Sequence, residues 1–137
     1  LPEESLPLMR VLHRAIEQNL VRSCHDLSEG GLAVAAAEMA LAGRIGMSLD
    51  LRSMPEHSSI EQDAALLFSE SNGRFLVEVS HSQQQKFERL MSGLPCALLG
   101  ETVEDASLKV VGRTGEVAIE VALDDIERSW KRSLWTS

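Results

Sequence analysis

The sequence predicts an α+β domain: a mixed β-sheet of about six strands covered by helices. Three observations carry this. Helical and strand periods alternate through the early part of the chain, short alternating strands follow one another as a meander late in it, and an alanine-rich helix begins directly after a Ser-Glu-Gly-Gly corner. With 137 residues, 44% of them hydrophobic, the chain is long enough for one core and is expected to form a single domain over 1–137.

Taken in order, Leu1 to Ser5 reads as a lead-in. From Leu6 an amphipathic helix is predicted by Leu8, Leu12, Ile16 and Leu20, which recur every four residues with Met9 and Ala15 beside them; His13 lies away from that stripe. Val21 to His25 is short and apolar enough for a strand. Gly30-Gly31 supplies the backbone freedom for a reversal, and LAVAAAEMALA from Leu32 has high helix propensity, with Gly43 placed to stop it. Small alanines nearly all round that helix allow it to pack very close to a sheet.

Gly46 to Leu51 alternates like a strand with one face buried, and Arg52 to Ser59, containing Pro55 and a solvated His57, reads as a loop. Ile60, Ala64, Leu67 and Phe68 have helical spacing, with Glu61 and Asp63 in the first turn, where the helix dipole favours acids. Ser69 to Arg74 is dense in turn formers and leads into the alternating strand Phe75 to Val79. Ser82 is placed to cap a helix reaching Met91. Cys96 to Val103, Leu108 to Val111 and Glu116 to Val121 read as strands, and a last helix carries Leu123, Ile126, Trp130 and Leu134 as one stripe, with Trp130 expected in the core.

Composition excludes several classes. A formal charge of −8 with no local basic cluster repels nucleic acid and anionic lipid. There is no run of about 18 apolar residues, so no membrane span is expected and a cytoplasmic location is. Leu1 in place of an initiator Met suggests a piece of something longer. Cys24 and Cys96 lack CxxC spacing and are expected as buried, reduced thiols. Cys24, His25 and Asp26 hold the letters of a catalytic triad, but consecutive strand residues point to opposite faces, so Cys24 and His25 do not make a nucleophile and base pair.

Two corners carry the candidate chemistry. A strand, a tight turn and a helix start leave unpaired N–H groups and the positive end of a helix dipole at Asp26, Ser28, Gly30 and Gly31, which is a place for an anion. Asp26 and Ser28 could equally cap the helix. At the second corner Glu70, Ser71 and Arg74 combine an acid, a hydroxyl and a guanidinium suited to phosphate or carboxylate; an Arg74 to Glu70 ion pair that merely braces the turn is the alternative.

The motifs HDLSEGGLAVAAAEMALAG (25–43), LFSESNGRFLVEV (67–79), LLGETV (98–103) and LDDIERSWKRSL (123–134) resemble the last domain of the phosphoribosylformylglycinamidine synthase family. That domain is similar to the C-terminal domain of aminoimidazole ribonucleotide synthetase, whose superfamily includes selenophosphate synthetase. The resemblance covers nearly the whole chain. It implies a share in an ATP-dependent ligase that converts formylglycinamide ribonucleotide to its amidine, with ammonia from a glutaminase domain or subunit, an iminophosphate on the way and Mg2+ neutralising the phosphates. By the same analogy Asp26 would face metal and nucleotide, with Ser28, Gly30 and Gly31 lining the nucleotide or phosphate side, while Glu70, Ser71 and Arg74 would face the substrate.

Partners implied are the N-terminal domain of the same enzyme and a pseudo-symmetric first-copy C-terminal domain. The HDLSEGG form and the Trp130 helix look like the second copy, whose site is often auxiliary or empty. The N-terminal domain's magnesium and triphosphate residues have no counterpart here, so the chain is expected to be inactive alone. Two other readings remain: a structural module that supports an active site without touching ligand, and the same domain from a cousin such as selenophosphate synthetase.

Overall fold

The computed structural model describes residues 2–54, 62–70 and 72–135. The expected His57 and Pro55 loop, the start of the helix at Ile60, and Ser71 therefore lie outside the described residues, as does the Leu134 side chain.

Among the described residues there are five α-helices and six strands, in the alternating then meandering order expected. They are α1 (Pro2–Glu17), β1 (Ser23–Asp26), α2 (Gly31–Gly43), β2 (Gly46–Asp50), α3 (Asp63–Phe68), β3 (Phe75–Glu78), α4 (Gln84–Leu90), β4 (Gly100–Val103), β5 (Ser107–Val111), β6 (Val117–Ala122) and α5 (Leu123–Trp135). The strands divide between two sheets. One is mixed and four-stranded, in the order β4-β2-β5-β6, with β2 and β5 parallel and the outer pairings antiparallel. The other is an antiparallel ribbon of β1 and β3.

The alanine-rich helix α2 lies at the centre. Ala35, Ala36 and Ala40 are fully buried, and Leu32 and Ala36 join Met47, Leu49, Leu108 and Val110 of the four-stranded sheet and Leu66 and Leu67 of α3 in the main core. Methyl-sized side chains are what let sheet, helices and ribbon all approach one helix closely. A second cluster holds Leu12, Ala15 and Leu20 against Phe87 and Met91. The ribbon joins the two cores, because alternation sends Leu76 toward the first and Phe75 and Val77 toward the second.

Several local expectations are corrected. Helix α1 begins at Pro2, within the expected lead-in, and Met9 and Ile16 stand outside its buried stripe, Ile16 being 46% exposed. Gly43 is the last residue of α2, and Arg44 takes the left-handed conformation that ends it (φ 52°), its N–H bonding the Ala40 and Leu41 carbonyls. Ser82 caps nothing: it lies in a 3-10 turn, His81–Gln83, that precedes α4. Strand β4 starts only at Gly100, so Cys96 to Leu99 is irregular, although the Leu99 carbonyl still accepts from the Asp50 amide at 2.7 Å. Both cysteines are free and exposed rather than buried.

Trp130 is not a core anchor. It is 46% exposed and lines a groove of about 500 Å³ between α2 and α5, with Leu41, Ala42 and Arg44 opposite. No helix among the described residues is long and apolar enough to cross a membrane.

Candidate functional site

Pairing of β1 with β3 sets Asp26 opposite Phe75, and the Leu27 amide extends the ladder by donating to the Arg74 carbonyl at 3.0 Å. The corner after β1 and the corner before β3 are thereby brought to the same end of the ribbon. The N-terminus of α2 opens there.

Gly30 and Gly31 both have positive φ, 71° and 68°, the region where a side chain is strained. Gly31 is required by packing as well: a Cβ on it would stand 2.7 Å from the Leu67 carbonyl oxygen, where α3 ends. Neither Asp26 nor Ser28 caps α2. The Ser28 hydroxyl donates to the Asp26 carboxylate, and that bond, more than any other influence, holds the exposed Asp26 carboxyl below its ordinary range. The amide of Gly30 instead donates to Oε1 of Glu70 at 3.0 Å. One N–H that the sequence leaves open for an anion is met by a carboxylate from the second corner.

Arg74 does not pair with Glu70. Its guanidinium is half-buried, donates to the Ser69 hydroxyl at 3.3 Å and has no carboxylate partner among the described residues; burial pushes its pKa down. A guanidinium so placed is suited to an anion supplied from outside the chain. Ser71 lies outside the described residues.

Beside the corner is a cleft of about 270 Å³ lined by His25, Asp26, Ser28, Glu29, Gly30, Val34 and Glu38. The local sequence does not by itself single out His25, Glu29 or Glu38 as lining residues. The imidazole lies on the α2 side of the ribbon, with Nε2 bonded to the Glu38 carboxylate and Nδ1 2.6 Å from the Asp26 carbonyl oxygen. Those acceptors, the Asp26 carbonyl foremost, raise the pKa of His25. The signal was there in part: alternation puts His25 on the face opposite Cys24, and Glu38 is the single charged residue of α2.

The cleft is acidic, so it does not by itself attract a free phosphate. Its donors suit a hard cation: ionised Asp26 presents carboxylate oxygen to solvent. Among the described residues no group of three or more His, Cys, Asp or Glu stands together to hold a metal unaided. Asp26 by itself offers one exposed carboxylate, too little to hold a cation without further ligands.

The family model described as AIR synthase related protein, C-terminal domain, matches residues 2–113, a span that contains both corners. The chain belongs to this family. Strand β6 and helix α5 lie beyond the part of the AIR synthase related domain that matches.

Among individual proteins, the chain is 37% identical over 119 residues to phosphoribosylformylglycinamidine synthase subunit PurL of Deinococcus radiodurans, covering 87% of this chain and 15% of the relative. It is 36% identical over 126 residues to the same subunit of Lactobacillus helveticus, covering 92% of this chain and 16% of that one. The AIR synthase related domain described here thus spans about one sixth of the relatives it matches. Its fold is similar to that of T. maritima PurL complexed with FGAR, with TM-score 0.76 at 22% identity over 87% of this chain and 20% of the other. The fold also matches the hydrogenase maturation protein HypE of E. coli, with TM-score 0.68 at 19% identity over 84% and 38%.

Proposed function

We propose that the chain is the C-terminal domain of a phosphoribosylformylglycinamidine synthase, the second copy by its HDLSEGG corner and Trp130 helix, and that it contributes half of a nucleotide or phosphate pocket. The parent enzyme is a cytoplasmic ATP-dependent ligase that joins ammonia to formylglycinamide ribonucleotide. The observation that carries the reading is the Gly30 to Glu70 hydrogen bond, which draws together two corners whose residue types suit an anion and a cation. The PurL relatives support this enzyme over a cousin such as selenophosphate synthetase.

In this reading Asp26 offers its carboxylate to a magnesium ion, which when bound neutralises phosphate charge. Ser28 keeps that carboxylate ionised and oriented. Arg74 offers a guanidinium to an anionic group of nucleotide or substrate, and Glu70 holds the turn through Oε1 while Oε2 is left for a ligand hydroxyl. Gly31 keeps the corner close to α3. The remaining walls, with the triphosphate and magnesium residues this chain lacks, come from the N-terminal domain of the parent polypeptide. The first-copy C-terminal domain and a glutaminase complete the assembly, in keeping with the similarity of this fold to PurLQS from T. maritima.

The test uses the intact polypeptide carrying this chain. Asp26→Asn and Arg74→Ala are each expected to weaken binding of Mg·ATP or of formylglycinamide ribonucleotide about tenfold or more, the cost of one charge-assisted contact. Unchanged affinity for both ligands in both variants would sink the pocket. That outcome favours a second reading, a structural module, for which one observation speaks: the chain's own Glu70 already occupies the Gly30 amide.

A further inference from the structure

His25 stands in β1 and Glu38 midway along α2, on the two elements that the Gly30-Gly31 corner connects. Nε2 of His25 meets the Glu38 carboxylate, and Nδ1 meets the Asp26 carbonyl oxygen at 2.6 Å. Both partners are acceptors. Each ring nitrogen thus meets a partner supplied by the chain itself. His25 lines the cleft beside Asp26 and yet is fully engaged by the protein itself.

The consequence is mechanical. Neither Asp26 nor Ser28 ties the corner to α2; its other ties are the Gly30 amide on Glu70 and the buried Leu27, neither of which reaches the middle of that helix. The imidazole links the main chain of Asp26 to a helix whose alanine faces are fixed in the core, and both side chains are largely screened from water, 28% and 30% exposed. We propose that His25 and Glu38 form a clasp that fixes the 26–31 corner against α2, making them positioning residues for the Asp26 carboxylate. The ligand-facing part of this proposal rests on the pocket described above; the clasp itself does not.

The test again uses the intact polypeptide, with His25→Gln, Glu38→Leu, the double variant, and Asp26→Asn for comparison. Amide hydrogen exchange and equilibrium Mg·ATP binding are measured on each. Loss of one charge-assisted hydrogen bond is expected to speed exchange at residues 26–31 about tenfold in either single variant, with β5 (Ser107–Val111) unchanged. The double variant is expected to be no faster than the singles, because the two groups act as one unit. Mg·ATP affinity is expected to fall about tenfold in each.

Unchanged exchange at the corner in both single variants overturns the clasp, and so does an equal rise across the whole domain. Faster corner exchange with normal Mg·ATP affinity, where Asp26→Asn has lost affinity, overturns the positioning role. If Asp26→Asn also binds normally, the pocket reading fails, and the exchange data alone decide the clasp. Should His25→Gln fail to fold, Glu38→Leu, which removes the acceptor and keeps about the bulk of the side chain, decides between these outcomes.

Discussion

The amide of Gly30 donates to Glu70 across forty residues of chain, at 3.0 Å. The first turn of a helix leaves amides without intrahelical partners, and the residues just before α2 do not supply one. A carboxylate from the corner before β3 does so instead, in a position that also suits the positive end of the helix dipole.

Glu70→Ala should therefore lower the stability of the domain by about 1 kcal/mol, the typical worth of a side-chain cap. Glu70→Gln keeps an acceptor and should lose only a few tenths, the part due to charge at the helix end. Denaturant titration of the two variants distinguishes them; equal stability of Glu70→Ala and the parent would show that the bond contributes nothing.

A pair of glycines separates backbone strain from close approach. Gly31 has φ 68° and no room for a Cβ, whereas Gly93 has φ 82° and no atom within 4 Å of the place a Cβ would take. Gly93→Ala should cost about 1 to 2 kcal/mol, the strain of a left-handed residue with a side chain. Gly31→Ala should cost clearly more, about 3 kcal/mol or loss of folding, since α3 must also move away from α2. Thermal or chemical melting of both variants checks the order, and the reverse order contradicts it.

Acid should loosen the contact between α5 and α2. Glu127 accepts from Lys131 and from both terminal nitrogens of Arg44, and these partners, Lys131 first, lower its pKa from the ordinary 4.5 to about 2. A carboxylate depressed in the folded state contributes stability that is fully present above its unfolded value and is lost as pH falls from about 4.5 toward 2. The stability difference between the parent and Glu127→Gln should be constant above that window and shrink through it. A difference that persists unchanged at about pH 2 would contradict this. The partners are exposed, so added salt should reduce the difference as well.

How much of this was legible beforehand depends on the range of the interaction. Alternation in GMSLD and the alanine content of LAVAAAEMALA are local, and β2 and α2 lie where those patterns put them. Periodicity overreaches where it cannot see the partner: Ile16 continues the stripe of α1, yet it is left 46% exposed, and Trp130 completes an apolar stripe on α5 but lines an open groove. The exposure of Cys24 has the same origin, since a short strand's outward face is set by what packs on the ribbon. Neither His25 nor Glu38 is notable singly; only their meeting in the fold makes them so.

By itself the sequence determined the local chemistry of this protein: an acid, a hydroxyl and two glycines between a strand and a helix, and a Glu, Ser and Arg corner ahead of another strand. Only the tertiary structure decided that β1 pairs with β3, that Glu70 rather than Asp26 or Ser28 meets the Gly30 amide, and that His25 is held by Glu38. The physical reason is that propensity and periodicity act over a few residues, whereas which strand lies beside which is chosen by burying apolar faces that the chain brings together from far apart.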